Sequence, residues 1–321
     1  MLKIFRTDVF LQIVIILVVS VAMWIGAFIH PQPMPMVGGG QLYYWLTGIL
    51  SPLWGTIIAY VLVLLEGFLL NGILYRHKMI AQSSLLPMLF YVIAMSLGTP
   101  TLTPILVGSL MLLLAIDQLM LTTTLLSLPL DKVFAAAAAI GLSTLFCPAM
   151  AVFFIPLVVS MFNYSLYSWR DWTMLLLGIL APYIIMETIF FVSDQMFYRN
   201  YLILYSFSDI HLYATGSWPE WILSALFLLT LLMGLSAAFI NSQSHNINFK
   251  KNISTLLIFI LGSMAYMLYT SIVPVPTEAF ALPFACCCTS LFIEPRRKEF
   301  GANLFFVLLI IAFVVLRLLS N

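Results

Sequence analysis

Apolar runs long enough for a membrane helix follow one another almost without interruption from Val9 to Leu319, separated by short breaks that carry charge, Pro or Gly. A hydrocarbon core roughly 30 Å thick needs about 20 apolar residues at 1.5 Å each to cross it as a helix. The runs fall at 9–29, 54–75, 83–98, 103–125, 132–147, 149–167, 172–193, 218–241, 254–272, 278–293 and 301–319. Hydrophobic residues make up 63% of the chain and charged residues 8%, against about a quarter charged in an ordinary soluble domain. No water-facing surface can be built from that composition. The expected fold is an all-α polytopic transmembrane bundle of about 11 helices, forming a single integral membrane domain over 1–321.

The breaks carry a direction. With the N-terminus cytoplasmic, Lys3, Arg6, Arg76, Lys78, Lys132, Arg170, Lys250, Lys251, Arg296, Arg297 and Lys298 all fall in cytoplasmic turns. That leaves Arg199 and Arg317, of thirteen cations, on the other face. Such an excess is the positive-inside pattern, and a missed or added span would scramble it from that point on. The first run is too long for a signal-peptide core and has no small-x-small cleavage site before His30 and Pro31, so it reads as a retained helix.

Several segments depart from plain spans. Residues 30–53 form an outer-face loop with Pro31, Pro33, Pro35 and Gly38 to Gly40, followed by the short apolar stretch Leu42 to Leu53, which suits an interfacial or re-entrant helix. The pair 132–147 and 149–167, parted only by Cys147 and Pro148, reads as a tight hairpin. Its run Ala135 to Ala139 with Gly141 offers a smooth face for close helix approach. Residues 193–220 make the longest polar segment, a second outer loop with Asp194, Arg199, Asp209, His211 and Glu220 among Tyr198, Tyr201, Tyr205, Phe207, Tyr213 and Trp218. That mixture suits the headgroup region.

Most site chemistries find no motif. The charge of +1 has no basic cluster for nucleic acid. Cys147, Cys286, Cys287 and Cys288 have neither disulfide nor zinc spacing and read as small packing residues. His30, His77, His211 and His245 are scattered, so no metal site is expected, and the absence of nucleotide or acyl-enzyme motifs gives no cofactor. What stands out is the carboxylates inside apolar runs, which are costly in hydrocarbon unless paired, protonated or beside a wet cavity. Glu66 lies ten residues before Arg76, roughly 15 Å along a helix and so near mid-membrane. Asp117 precedes Gln118 and Thr122 to Thr124. Glu187 follows Pro182, with Asp194 at i+7 on the same helical face. Each of these acids equally fits a hydrogen-bonded group that fixes helix packing.

Asp194, Arg199 and His211 with Glu187 also have the composition that a transferase acting on a polyprenyl-linked sugar needs: a base for the acceptor hydroxyl and a cation for the lipid phosphate. These four are the candidate catalytic residues under that reading. Against it, residues 30–41 contain no Asp or Glu, although the GT-C transferases usually carry their catalytic acid in the first outer loop.

The stretches LLEGFLLNGILYRHK from Leu64, SLLPMLFYVIAMSL from Ser84 and TPTLTPILVGSLMLLLA from Thr99 resemble a family of uncharacterised multi-pass inner-membrane proteins of the Bacteroidota. So do KVFAAAAAIGLSTLFCPAMAVFFIPLVV from Lys132 and WRDWTMLLLGILAPYIIM from Trp169, and the shared elements include Asn71 with Arg76 at an Asn-x-x-x-x-Arg spacing. The resemblance covers about the first two thirds of the chain. It implies a bacterial inner membrane with a periplasm on the outer side, and supplies no active site. The layout of an outer loop, an interfacial helix and short middle helices is similar to that of GT-C transferases, at the level of fold alone. The expected function is an accessory or scaffolding subunit of a cell-envelope biogenesis or secretion complex, with the bilayer and other membrane subunits as partners. The alternative is a GT-C-like enzyme that takes a polyprenyl-linked lipid.

Overall fold

The computed structural model describes residues 8–35, 38–80, 84–122, 130–192, 213–214, 218–242, 247–270, 272–273, 277–293 and 299–320. The helices are α1 (Val9–Ile29), α2 (Gln41–Ile49), α3 (Pro52–Arg76), α4 (Leu86–Leu97), α5 (Pro104–Leu121) and α6 (Leu130–Phe146). After a 3₁₀ turn (Pro148–Phe153) come α7 (Phe154–Asn163), α8 (Trp169–Val192), α9 (Trp218–Ser242), α10 (Ile247–Thr270), α11 (Thr277–Ile293) and α12 (Glu299–Ser320). Two residues, Tyr213–Ala214 (β1), pair in parallel with Ile272–Val273 (β2). A helix lies at each of the eleven apolar runs. Among the described residues, five helices are long and apolar enough to cross a membrane: α1, α3, α5, α8 and, within α9, Trp221–Ile240.

The sequence sets most of the helix starts. Pro sits in the first turn of α3, α4 and α5, where its missing N–H costs nothing. Thr103 caps α5 by accepting the Leu106 N–H at 3.1 Å. The short stretch expected at 42–53 ends earlier: α2 stops at Ile49, and Pro52 and Leu53 open α3.

α1 buries Gln12, Ile16, Ser20, Met23, Trp24 and Ala27, a stripe at helical spacing, and exposes Phe10, Val14, Val18, Val21 and Ile25 on the other side. α4 differs. Every residue from Leu86 to Leu97 except Met88 is buried, so this helix is the axis of the bundle. Trp24 on α1 donates to Ser96 of α4 at 2.8 Å. Phe90 packs against Phe284, Phe292 and Phe306 of α11 and α12, and Phe227 of α9 stacks on Phe284 with ring centres 4.2 Å apart.

Small residues set the closest crossings. A Cβ on Gly178 of α8 would stand 2.6 Å from the Phe134 carbonyl and 2.7 Å from the Ala137 Cβ of α6, and one on Gly141 would stand 2.8 Å from the Ile179 carbonyl. The Ala-rich face of α6 is therefore the seam for α8. The helix ends also sort. At one end the Leu85 N–H, leading into α4, donates to Gln12 of α1, and the end of α3 meets the end of α5. At the other end α4 finishes where α5 and α11 begin and α12 ends. α3, α4 and α5 thus alternate in direction, and α11 and α12 run opposite to each other. These two ends are called the Asp117 end and the Glu278 end below.

Candidate functional site

Of the four residues considered for transfer chemistry, Glu187 lies within the described residues; Asp194, Arg199 and His211 lie outside them. The expected pairing of Glu187 and Asp194 on one helical face falls outside them as well, since α8 ends at Val192. Glu187 is exposed, on a helix side shared with the exposed Ile184, Ile185, Ile189 and Phe191. α8 is the least buried of the five long helices, with 22% of its most apolar window inside the protein against 67% for α5.

The interior acids are held differently. Glu66 is fully buried on α3. Tyr91 of α4 donates to its Oε2 at 2.7 Å, and Ser109 of α5 lies 3.1 Å from both carboxyl oxygens while also 2.7 Å from the Leu106 carbonyl. Three helices therefore meet at one carboxyl group, and its hydrogen-bond partners among the described residues are neutral hydroxyls. Asp117 sits at the end of α5 instead, 2.7 Å from the Arg76 guanidinium and 3.1 Å from His77 Nε2. The Arg76 side chain is 56% exposed and that of Asp117 7%, so this pair lies at the rim and closes the ends of α3 and α5. Asn71 is almost buried, and its Oδ1 meets no partner among the described residues.

A further acid, Glu278, is marked by no motif in the sequence. It lies in the first turn of α11, partly exposed. Its Oε1 accepts from the Thr99 N–H at 3.1 Å and the Thr99 hydroxyl at 3.4 Å, and its Oε2 accepts from Thr103 at 3.1 Å. Gly98 makes room for it, because a Cβ there would overlap the carboxyl group. Arg317 of α12 donates to the carbonyls of Gly98 at 2.9 Å and Leu97 at 3.4 Å. Tyr43 of α2 is fully buried against the same irregular segment and donates to the Leu102 carbonyl at 2.7 Å. Burial, with Tyr44 and Glu278 adding to it, pushes the Tyr43 phenol above its ordinary range, so it stays a donor.

A small cavity lies between Glu278 and the two hydroxyls that hold Glu66. Tyr91 and Ser109, which hold Glu66, line one side and Glu278 another, with Leu112, Met150 and Phe153 among the remaining walls. Its free space for the centre of a water-sized sphere is about 10 Å³. Among the described residues no group of three or more His, Cys, Asp or Glu side chains is gathered as a metal site would be.

Comparison with protein families, with curated proteins and with solved structures gave no match.

Proposed function

We propose that the chain is an eleven-span inner-membrane protein with a cytoplasmic N-terminus. In this reading it serves as an accessory or scaffolding subunit of a cell-envelope biogenesis or secretion complex, and α8 is the surface it offers to its membrane partner. The observation behind this is Glu187, exposed among Ile184, Ile185 and Ile189. It lies five residues before the end of α8 at Val192, roughly 7 Å along the axis from the helix end. A carboxyl group facing hydrocarbon costs several kcal/mol unless it is paired or hydrogen-bonded. A partner helix carrying a hydroxyl, amide or cation at that depth removes the cost and gains packing against the apolar side chains around it.

Photo-crosslinking from Ile185 and Thr188 in native membranes tests the reading. A discrete adduct with a second protein is expected, and Glu187→Leu should weaken it. Adducts with lipid or with the chain itself alone would reject it. The transferase alternative makes a separate prediction: Arg199→Ala combined with His211→Ala abolishes polyprenyl-linked glycan products. Unchanged glycan profiles exclude it.

A further inference from the structure

We infer that Glu278, the adjoining cavity and the Tyr91 and Ser109 hydroxyls form a proton path that loads Glu66 from the Glu278 end of the bundle. The inference does not depend on the lateral-partner reading. It rests on geometry: the two hydroxyls that bind Glu66 are the ones that line the cavity, and Glu278 lines it too. A space of about 10 Å³ is close to what one water requires, and a buried water needs two to four polar partners. Tyr91, Ser109 and Glu278 are the polar residues that line it. The apolar walls of Leu112, Met150 and Phe153 confine it between them.

The entry lies at the Glu278 end. Glu278 is partly exposed and bonded to the exposed Thr99, which gives it contact with the aqueous side. Beyond Glu66 toward the Asp117 end, α3 buries Leu70, Asn71, Ile73 and Leu74 and α5 buries Leu113 and Ile116. Among these side chains Asn71 alone carries a donor or acceptor. In the transfer step Glu278 gives its proton to the water, and the water passes one of its own to the Tyr91 oxygen. Tyr91 releases its phenolic proton to Glu66 Oε2. One proton has moved, Glu278 is again a carboxylate, and Tyr91 and the water are unchanged; Ser109 offers a parallel hydroxyl.

The titratable and charged groups around the path come from every neighbouring element. They are Glu66 on α3, Tyr91 on α4, Glu278 on α11, Tyr43 on α2, and Cys147 beside Tyr266 of α10. Arg317 on α12 completes the set. Tyr43 donates to the Leu102 carbonyl, and the Cys147 thiol lies 3.9 Å from the Tyr266 hydroxyl. Neither lines the cavity. Arg317 spans the Leu97 and Gly98 carbonyls.

The test is infrared spectroscopy of the full chain in nanodiscs on transfer from H₂O to D₂O. The Glu66 carboxylic-acid band is identified by its loss in Glu66→Gln, and its hydrogen–deuterium exchange is timed. Glu278→Gln should slow that exchange by at least about tenfold, since the relay loses its entry acid. Ala279→Val, which narrows the cavity while leaving both acids in place, should slow it similarly. Exchange at the wild-type rate in either variant that remains monodisperse and helical overturns the proposal. So does the absence at every pH of an acid band that Glu66→Gln removes.

Discussion

Glu66 and Glu278 illustrate what a single carboxyl group demands inside an apolar bundle. Glu66 is answered by two hydroxyls from two other helices. Tyr91→Phe removes one of them and leaves a buried oxygen short of a donor, a loss of about 1–3 kcal/mol. Thermal unfolding in detergent should show a lower midpoint for that variant, and an unchanged midpoint would mean the hydrogen bond contributes nothing net. Glu278 is answered by an irregular segment instead, and Gly98 is part of the answer. Because the carboxyl group is tied to Thr99 and Thr103, it cannot swing aside for a new methyl group. Gly98→Ala should therefore cost about 1–3 kcal/mol as overpacking, read in the same unfolding assay. Gly72, whose Cβ position is open, is the control: its change to Ala should be neutral or slightly stabilising in a helix. Glu66 was legible in the sequence because it interrupts an apolar run. Glu278 was not, since it sits at a run's edge beside Pro274 and Pro276 and reads as a turn residue.

Among elements, the pairing of α6 with α8 followed from the sequence in one half only. The Ala135–Ala139 run announced a smooth helix face, but not which helix would lie on it. Gly178 on α8 is the reciprocal small residue, set against the Phe134 carbonyl. Gly178→Val should force the two helices apart, lower stability by about 1–3 kcal/mol or more, and raise detergent-induced aggregation. A variant as stable and monodisperse as the wild type would show that the seam is not tightly packed. α4 carries a different lesson. Twelve residues make a helix of roughly 18 Å, too short to cross alone. The backbone from Gly98 to Thr103 that continues it lines the Glu278 site, with Thr101, Leu102 and Thr103 buried in protein and Thr99 exposed. The same apolar run in the sequence, 83–98, looks like any other.

At the scale of the whole molecule, the eleven crossings proposed above would place the two termini on opposite sides of the membrane. A periplasm-dependent reporter fused after Asn321 should be active and one fused after Lys78 inactive; the reverse pattern, or matching activity at both, would reject the eleven-span topology. The sequence by itself determined that the chain is a succession of apolar helices with polar breaks. It also marked where most helices start, because hydrophobic run length, Pro placement and charged turns are local properties that lipid and water read directly. Only the tertiary structure decided that α4 is the axis, that α8 lies on the periphery with Glu187 exposed, and that Glu278 lines one cavity with the two hydroxyls that hold Glu66. Those facts depend on which faces of distant helices meet. In hydrocarbon, apolar side chains have almost no preference for one another over lipid, so the choice falls to small-residue contacts and to hydroxyl and carboxyl partners far apart in the chain.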